Sequence, residues 1–287
     1  MKKMAKRLLL FSLGLPIIVA IIILLPHYNH LVINVLVVVF SALGAAEMTV
    51  LLAPKKLTIS IPEAAILGAS IPAAMTLVVS FGFVDMLVPG IITTAVSWLL
   101  ISRIISTGTV LENTINHLAS GFTVLLYPGI LMAWIIGMGN WENSSYIILT
   151  FFCMVFAGDS AAWAAGKMFG KNNRGLFPAS PKKSIAGFIG GLIAPTLIGM
   201  GAVFQWPQAF MPDERFFSTL PAGCILGLLT GIAAALGDLG ESTIKRSSGI
   251  KESGSIIPGR GGVLDSIDSV SFAAPIFYLF FRFLFIQ

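Results

Sequence analysis

The fold class of this chain is indicated by residues 31–53, LVINVLVVVFSALGAAEMTVLLA. Glu47 is the only charged residue in this stretch. A helix of about 20 mostly apolar residues crosses the hydrocarbon core of a bilayer, so this stretch predicts a transmembrane helix. A strand of a membrane barrel needs only about 9–11 residues, so the stretch is too long for one. It therefore predicts an all-α membrane protein.

The whole chain has the composition of a membrane protein. Of its 287 residues, 56% are hydrophobic and 11% are charged, and the mean hydropathy is +0.91. A soluble domain carries about 25% charged residues, so this chain has too few polar side chains to cover a water-soluble surface. Its net charge of +5 is spread over loops, which favours membrane orientation over nucleic-acid binding. Cys153 and Cys224 lie inside apolar runs without metal-ligand spacing, so both are interpreted as packing residues.

Apolar runs of this kind recur along the chain and predict a polytopic protein with about nine transmembrane helices. The runs are residues 8–25, 31–53, 62–80, 84–102, 118–138, 146–166, 185–204, 220–237 and 270–286. The first run is longer than the ~7–15 apolar residues of a signal peptide, so we interpret it as an uncleaved helix. We expect residues 1–145 to form N-terminal helices and residues 146–287 to form a C-terminal region that carries the chemistry.

Basic loops alternate with loops that contain few or no Lys and Arg residues. The N-terminus and residues 167–184 and 238–269 are basic, whereas residues 26–30 and 139–145 contain neither residue type. Positively charged loops stay in the cytoplasm. The pattern therefore predicts that the N-terminus and both charged segments are cytoplasmic and that the C-terminus is outside.

The first candidate site is GDLGESTIKR, residues 237–246. If the preceding helix continues, Asp238, Glu241, Ser242 and Lys245 share one of its faces. Carboxylate and hydroxyl oxygens suit a hard cation such as Mg²⁺, and a lysine one turn further can meet phosphate. The alternative is an amphipathic helix end with ion pairs worth only about 0.2–0.5 kcal/mol each. Because acids at a membrane boundary are expensive to desolvate, the sequence favours function.

The second candidate is PGRGGVLDSIDS, residues 258–269. Its glycines allow backbone N–H groups to form an anion-binding nest, in which Arg260 can add a bidentate phosphate contact. Asp265 and Asp268 follow, three residues apart, and are candidates to join Asp238 around a metal. The alternative is a structural turn followed by a helix cap.

The third candidate combines GDSAAWAAGKMFGK, residues 158–171, with SPKKS, residues 180–184. Asp159 lies inside an apolar run, where an acid indicates a functional site, or else a polar residue for helix packing. The small residues beside it allow a helix or a ligand to approach closely; they are Ala161, Ala162, Ala165 and Gly166. The polar residues that predict a phosphate clamp, or alternatively cytoplasmic anchoring charges, are Ser180, Lys182, Lys183 and Ser184.

Glu47 keeps two interpretations. It either lines the same cavity or forms a hydrogen bond between helices.

These motifs resemble the phosphatidate cytidylyltransferase (CDP-diacylglycerol synthase) family over roughly the second half of the chain. The elements that carry the resemblance are the segments at 159–170, 180–183 and 237–242, then Ser242-Thr-Ile-Lys-Arg with Lys251-Glu252, and Pro258-Gly-Arg-Gly-Gly-Val-Leu-Asp265-Ser-Ile-Asp268. The sequence departs from the family pattern at Ala186 (usually Glu), Glu252 (Asp), Arg260 (His) and Ser266 (Arg). These departures bear on substrate detail and rate more than on reaction class.

The resemblance implies a nucleotidyltransferase of phospholipid biosynthesis in the inner (cytoplasmic) membrane. It would transfer the cytidylyl group of CTP to phosphatidate at a site facing the cytoplasm, and the N-terminal scaffold would provide a lipid cavity. The implied cofactor is Mg²⁺, with a second, monovalent cation left open, and the implied assembly is a homodimer. By this resemblance the metal ligands are Asp238, Asp265 and Asp268, with Glu241 a weaker candidate, and the phosphate-binding residues are Ser180, Lys182, Lys183, Lys245 and Arg246.

Two other classes of protein fit the same residues less well. A CTP-dependent polyprenol or dolichol kinase-like enzyme, or an ether-lipid CDP synthase, would share the nucleotide site but use another acceptor. A transporter would use Asp159 and Glu47 as coupling acids. However, the charges cluster toward one predicted side of the membrane, and no interrupted repeat is visible.

Overall fold

The computed structural model describes residues 14–57, 59–104, 112–211, 218–257 and 261–286. These residues form helices and connecting turns, with isolated bridges as their only β-type pairing. The helices, in chain order, are α1 (Gly14–Leu24), α2 (His27–Leu52), α3 (Ile61–Phe81), α4 (Leu87–Ile101), α5 (Thr114–Val124), α6 (Leu131–Gly137), α7 (Ser144–Phe169), α8 (Ile185–Gln205), α9 (Thr219–Ser247) and α10 (Leu264–Phe285).

The helices confirm the all-α, polytopic class. Within the described ranges, seven helical stretches are long and apolar enough to cross a membrane, and α1 and α4 are shorter apolar helices. One of the seven runs from Thr114 to Asn140 and joins α5 to α6 through a π-helical turn, Leu125–Ile130. That turn contains Pro128, which has no N–H for an ordinary helical hydrogen bond. Each of the nine predicted apolar runs overlaps one of these helical stretches.

The interval expected to be the last cytoplasmic loop is partly helical. Residues 238–247 continue α9, and residues 264–269 begin α10. Hydropathy falls at Asp238 because the side chains become polar, but the backbone remains helical as far as Ser247. Gly249, with φ +69°, follows the helix end, and Ile250 N–H donates to Lys245 O. A left-handed glycine of this kind is a common helix terminator.

The chain divides into two compact units, and neither is a continuous stretch. Unit 1 comprises Met1–Gly137 and Ile244–Ile267, and unit 2 comprises Met138–Thr243 and Asp268–Gln287. The boundary therefore falls inside α9 and inside α10. The division at residue 145, which concerns function, stays a prediction.

In unit 1, α2 and α3 pack through small residues. A Cβ added at Gly68 would collide with Ala45 on α2, so glycine is required for this close approach. The end of α9 is tied to α2 by the Ser248 hydroxyl, which donates to the Leu51 carbonyl.

In unit 2, small residues let α7, α8 and α9 approach closely. A Cβ at Gly190 would lie 2.7 Å from Ala165 Cβ, and one at Gly191 would lie 3.2 Å from Ala162 Cβ. The Ala- and Gly-rich part of α7 therefore serves helix packing, one of the two roles that the sequence allowed. An aromatic group fills another part of this unit; its members are Trp141, Phe151, Phe210, Phe277 and Phe281.

Candidate active site

Four carboxylates of unit 2 form an acidic cluster, made of Asp159 on α7, Asp238 and Glu241 on α9, and Asp268 on α10. The other three act electrostatically on Asp268. Glu241 is fully buried, and Asp268 is 6% exposed. Burying several like charges is costly unless a cation or hydrogen bonds compensate them. The cluster therefore has the electrostatics of a cation site.

Ser269 provides hydrogen bonds to two members of the acidic cluster. Its N–H donates to Asp268 Oδ1 at 2.6 Å, and its hydroxyl donates to Asp159 Oδ1 at 3.3 Å. The backbones of α9 and α10 approach closely here, because a Cβ at Gly237 would collide with the Asp268 carbonyl. The close packing of α9 and α10 therefore fixes the surroundings of Asp268, and Ser269 links Asp268 to Asp159.

Lys183 supplies positive charge to the acidic cluster. Its Nζ lies 2.6 Å from Asp238 Oδ2, and both side chains are partly exposed, at 30% and 38%. The loop that carries Lys183 is fixed at its end by Ser184, whose Oγ accepts a hydrogen bond from Gly187 N–H and caps α8. Ser184 therefore has a structural role in this loop, whereas Lys182 is exposed and Ser180 half-buried in the same turn.

A second group of polar residues, the Asp265 network, lies in unit 1. Lys245 Nζ contacts Asp265 Oδ1 at 2.5 Å, and both side chains are largely buried. The other oxygen, Oδ2, accepts hydrogen bonds from Ser253 N–H (2.9 Å), the Ser253 hydroxyl (2.9 Å) and Gly262 N–H (2.8 Å). Both oxygens of Asp265 are therefore engaged, and the carboxylate is held in one orientation.

The Asp265 network changes the interpretation of the glycine-rich turn. Gly261 has φ +117°, a conformation that favours glycine. The N–H of Gly262, expected to face a bound anion, instead donates to Asp265. The described part of the predicted nest thus binds a carboxylate of the chain itself, and Arg260 lies outside the described residues.

The predicted metal ligands, Asp159 and two of the predicted cationic residues belong to these two groups. Lys183 contacts the acidic cluster, and Lys245 contacts Asp265. The expectation that Asp238 and Asp265 share one metal stays a prediction, since they belong to different units. Ser242 is half-buried on α9, and Arg246 is exposed near its end.

The donor chemistry of the acidic cluster suits magnesium, because carboxylate oxygens are its preferred protein ligands. Among the described residues, however, no three His, Cys, Asp or Glu side chains are arranged as a ready-made metal site. A metal bound here would therefore require side-chain rearrangement, including release of Asp238 by Lys183.

Glu47 and Ser253 also belong to the Asp265 network but are not among the predicted site residues; the Ser253 hydroxyl lies 2.9 Å from Asp265 Oδ2 and 3.1 Å from Glu47 Oε2. Glu47 carried a signal, since it is the lone acid of an apolar run, but its partners could not be read from the sequence. Ser253 carried no signal of its own. At one departure from the family pattern, Ser266 donates its hydroxyl to the Gly262 carbonyl at 3.2 Å, which is a local helix contact.

A family model described as "Cytidylyltransferase family" matches residues 5–284. The chain belongs to the cytidylyltransferase family. The match includes both units and all the residues of the acidic cluster and the Asp265 network.

Several curated relatives of this cytidylyltransferase-family chain are named phosphatidate cytidylyltransferase. The phosphatidate cytidylyltransferase of Synechocystis sp. is 42% identical over 49% of this chain and 45% of its own length. The protein of that name from Haemophilus influenzae is 40% identical over 48% of this chain and 46% of its own length. The one from Bacillus subtilis is 33% identical over 58% of this chain and 60% of its own length. The chain thus spans about half the length of the curated relatives it matches.

Proposed function

We propose that this protein transfers the cytidylyl group of CTP to phosphatidate and forms CDP-diacylglycerol and pyrophosphate. The observation that carries the proposal is the acidic cluster of unit 2 with Lys183 paired to it, in a multi-pass membrane protein of the cytidylyltransferase family. The names of the relatives support phosphatidate as the acceptor.

In the proposed reaction, an oxygen of the phosphatidate phosphate attacks the α-phosphorus of CTP. The bond from the α-phosphorus to the oxygen that bridges it to the β-phosphorus breaks, and pyrophosphate leaves with the bonding electron pair. The nucleophile is already anionic, so no strong general base is needed. The main task of the protein is to hold two highly charged partners in line and to compensate their charge.

Asp238, Glu241 and Asp268 would hold Mg²⁺ in this proposal, and Asp159 would contribute to the same negative field. When bound, the metal supplies neutralisation of charge on the phosphate oxygens. The sequence predicts Asp265 as a further ligand of the same metal. A second, monovalent cation is not part of the proposal.

Cationic side chains would bind the phosphates. Lys183 pairs with Asp238, and as a flexible ammonium it can exchange a carboxylate partner for a phosphate. Ser180, Lys182 and Arg246 would extend the phosphate contacts, because their side chains are at least partly exposed. The Lys245–Asp265 pair would orient Lys245 toward its substrate phosphate.

The proposal also places this protein in the inner (cytoplasmic) membrane with CTP arriving from the cytoplasm. The positive-inside pattern of the loops supports this orientation. The homodimer implied by the family resemblance is kept as part of the proposal.

The deciding experiment gives the purified full chain, in phospholipid nanodiscs, CTP labelled at either its α- or its γ-phosphorus. With phosphatidate and Mg²⁺, we expect α-label in the lipid fraction and an equal release of pyrophosphate. EDTA should stop the reaction, and added Mg²⁺ should restore it.

Three outcomes of that experiment would contradict the proposal. Transfer of γ-label to a polyprenol would show a lipid kinase, and α-label entering lipid only with an ether-lipid acceptor would change the substrate. No turnover with any acceptor would favour a transporter.

A further inference from the structure

Glu47 is the only Asp, Glu, Lys or Arg on α2, and its side chain is 6% exposed. An acid buried in an apolar helix is expensive unless the structure compensates its charge. Its compensation comes from the region of unit 1 that contains Asp265, a region more than two hundred residues away along the chain.

Two hydrogen bonds hold the Glu47 carboxylate. Its Oε2 accepts from Leu264 N–H at 2.9 Å and lies 3.1 Å from the Ser253 hydroxyl. Leu264 is the first residue of α10, so the negative charge sits at a helix N-terminus, where unpaired N–H groups and the helix dipole favour an anion. Glu47 thereby stabilises the start of the helix that carries Asp265.

The Ser253 hydroxyl links Glu47 to Asp265 directly. The same oxygen lies 2.9 Å from Asp265 Oδ2 and 3.1 Å from Glu47 Oε2. A hydroxyl has a single proton, so it is shared between, or alternates between, the two carboxylates. Displacement of the Glu47 carboxylate would therefore change the hydrogen bonding of Asp265.

Gly254 and Gly262 make room for Glu47. A Cβ at Gly254 would overlap Glu47 Oε1, and one at Gly262 would overlap Glu47 Oε2 and the Ser253 hydroxyl. Neither glycine has a positive φ, so the backbone conformation alone does not require glycine at these positions. The close approach of the Glu47 carboxylate does.

From these contacts we infer that Glu47 is a positioning residue for Asp265. It holds Ser253 and the first turn of α10 so that Asp265 keeps one orientation toward Lys245. The inference rests on the proposed function, in which the Lys245–Asp265 pair orients Lys245 toward a substrate phosphate. It gives a residue of the first half of the chain a specific role in the reaction.

The test compares Glu47→Gln and Glu47→Ala with Thr49→Ala. Thr49 is a buried polar residue two positions further along α2, and its hydroxyl donates to the local Ala46 carbonyl. Loss of a hydrogen-bonding partner that orients a site residue typically costs about 10–100-fold in activity. We expect kcat to fall by roughly tenfold in Glu47→Gln and by roughly a hundredfold in Glu47→Ala, with KM for CTP and phosphatidate nearly unchanged.

Glu47→Gln preserves the volume and one acceptor oxygen but removes the negative charge, so it should remain folded with a Tm near that of wild type. In both variants we expect amide hydrogen exchange to accelerate in residues 251–257 and 261–264, because Ser253 and Leu264 lose their partner in Glu47→Ala and keep only an uncharged one in Glu47→Gln. Wild-type kcat together with wild-type exchange in these segments would overturn the inference.

Epistasis provides a second, independent readout. Gly254→Ala should lower kcat because its methyl group displaces Glu47, and Glu47→Ala removes the atoms it would strike. The double variant should therefore be no worse than Glu47→Ala alone. If the kcat losses of the two single variants multiply in the double variant, Gly254 acts independently of Glu47, and the proposed arrangement is contradicted.

The two proposals can fail separately. If the wild-type protein forms no lipid-linked cytidine, the proposed function fails. The exchange measurement needs no turnover, and it still decides whether Glu47 holds Ser253 and the start of α10.

Discussion

The charge density of the acidic cluster is the main feature at the scale of single residues. Asp159, Asp238 and Glu241 all act on Asp268, which is almost completely buried. Evolution for stability alone would not gather like charges in this way, and functional sites are where such strain persists. The cluster is therefore expected to trade stability for function.

Replacing Asp268 by Asn should show this trade-off. The amide keeps an acceptor for Ser269 N–H but removes one of the repelling charges, so the metal-free protein should become more stable. A gain of about 1 kcal/mol would raise Tm by roughly 2–4 °C. Activity should fall by about 10²–10³-fold, as for other losses of electrostatic transition-state stabilisation.

The measurements for Asp268→Asn are thermal unfolding in detergent with and without Mg²⁺, and CDP-lipid formation. Wild-type protein should gain Tm on addition of Mg²⁺, and the variant should gain less. Asp85→Asn, which changes an exposed loop acid outside the cluster, is the matched control. An active Asp268→Asn variant with an unchanged magnesium response would remove Asp268 from the site.

Lys245 allows a second residue-scale prediction. Lys245→Ala removes the cation of a largely buried ion pair and should destabilise the protein by about 3–5 kcal/mol, because Asp265 is left without its counter-charge. Lys245→Arg keeps the charge and should recover most of the Tm but less of the activity, since the guanidinium differs in shape. Equal Tm values for wild type and Lys245→Ala would show that the pair contributes nothing.

At the scale of secondary-structure elements, glycines decide how closely α7 and α8 pack. Gly190 faces Ala165 and the Ala161 carbonyl, whereas Gly201 on the same helix has open space where a Cβ would be. The two positions share a helix and a residue type and differ in what they face.

Gly190→Leu should therefore cost at least about 1–3 kcal/mol through overpacking, and Gly201→Leu should be tolerated. The readouts are the yield of monodisperse protein on size-exclusion chromatography and Tm in detergent. Similar losses in both variants would show that the side chain harms α8 for a reason other than its contact with α7.

At the scale of the whole molecule, sidedness follows from the loops. Lys171, between α7 and α8, is expected in the cytoplasm, and Glu142, just before α7, is expected outside. Single cysteines at these positions, in a chain with Cys153 and Cys224 replaced by Ala, should react with a membrane-impermeant maleimide from opposite sides. Labelling of both from the same side would refute the predicted topology.

The sequence alone determined the helical membrane fold, and it predicts the type of chemistry. Apolar runs of bilayer length admit few structures, since lipid offers no partners for backbone N–H and C=O groups. The polar residues that interrupt the last runs have no such simple explanation, and they include the members of the acidic cluster and Asp265. Helix bounds do not follow from hydropathy, which falls at Asp238 while the α9 backbone continues to Ser247.

Which polar groups contact each other depends on the tertiary structure. Glu47 could be recognised as an unusual acid, but its contacts with Ser253 and Leu264 join segments more than two hundred residues apart. Likewise, the sequence around Gly262 predicts an anion-binding turn, whereas in the structure the Gly262 N–H donates to Asp265. Local sequence determines solvent preference and helix formation, whereas the pairing of buried charges depends on long-range packing that no local pattern encodes.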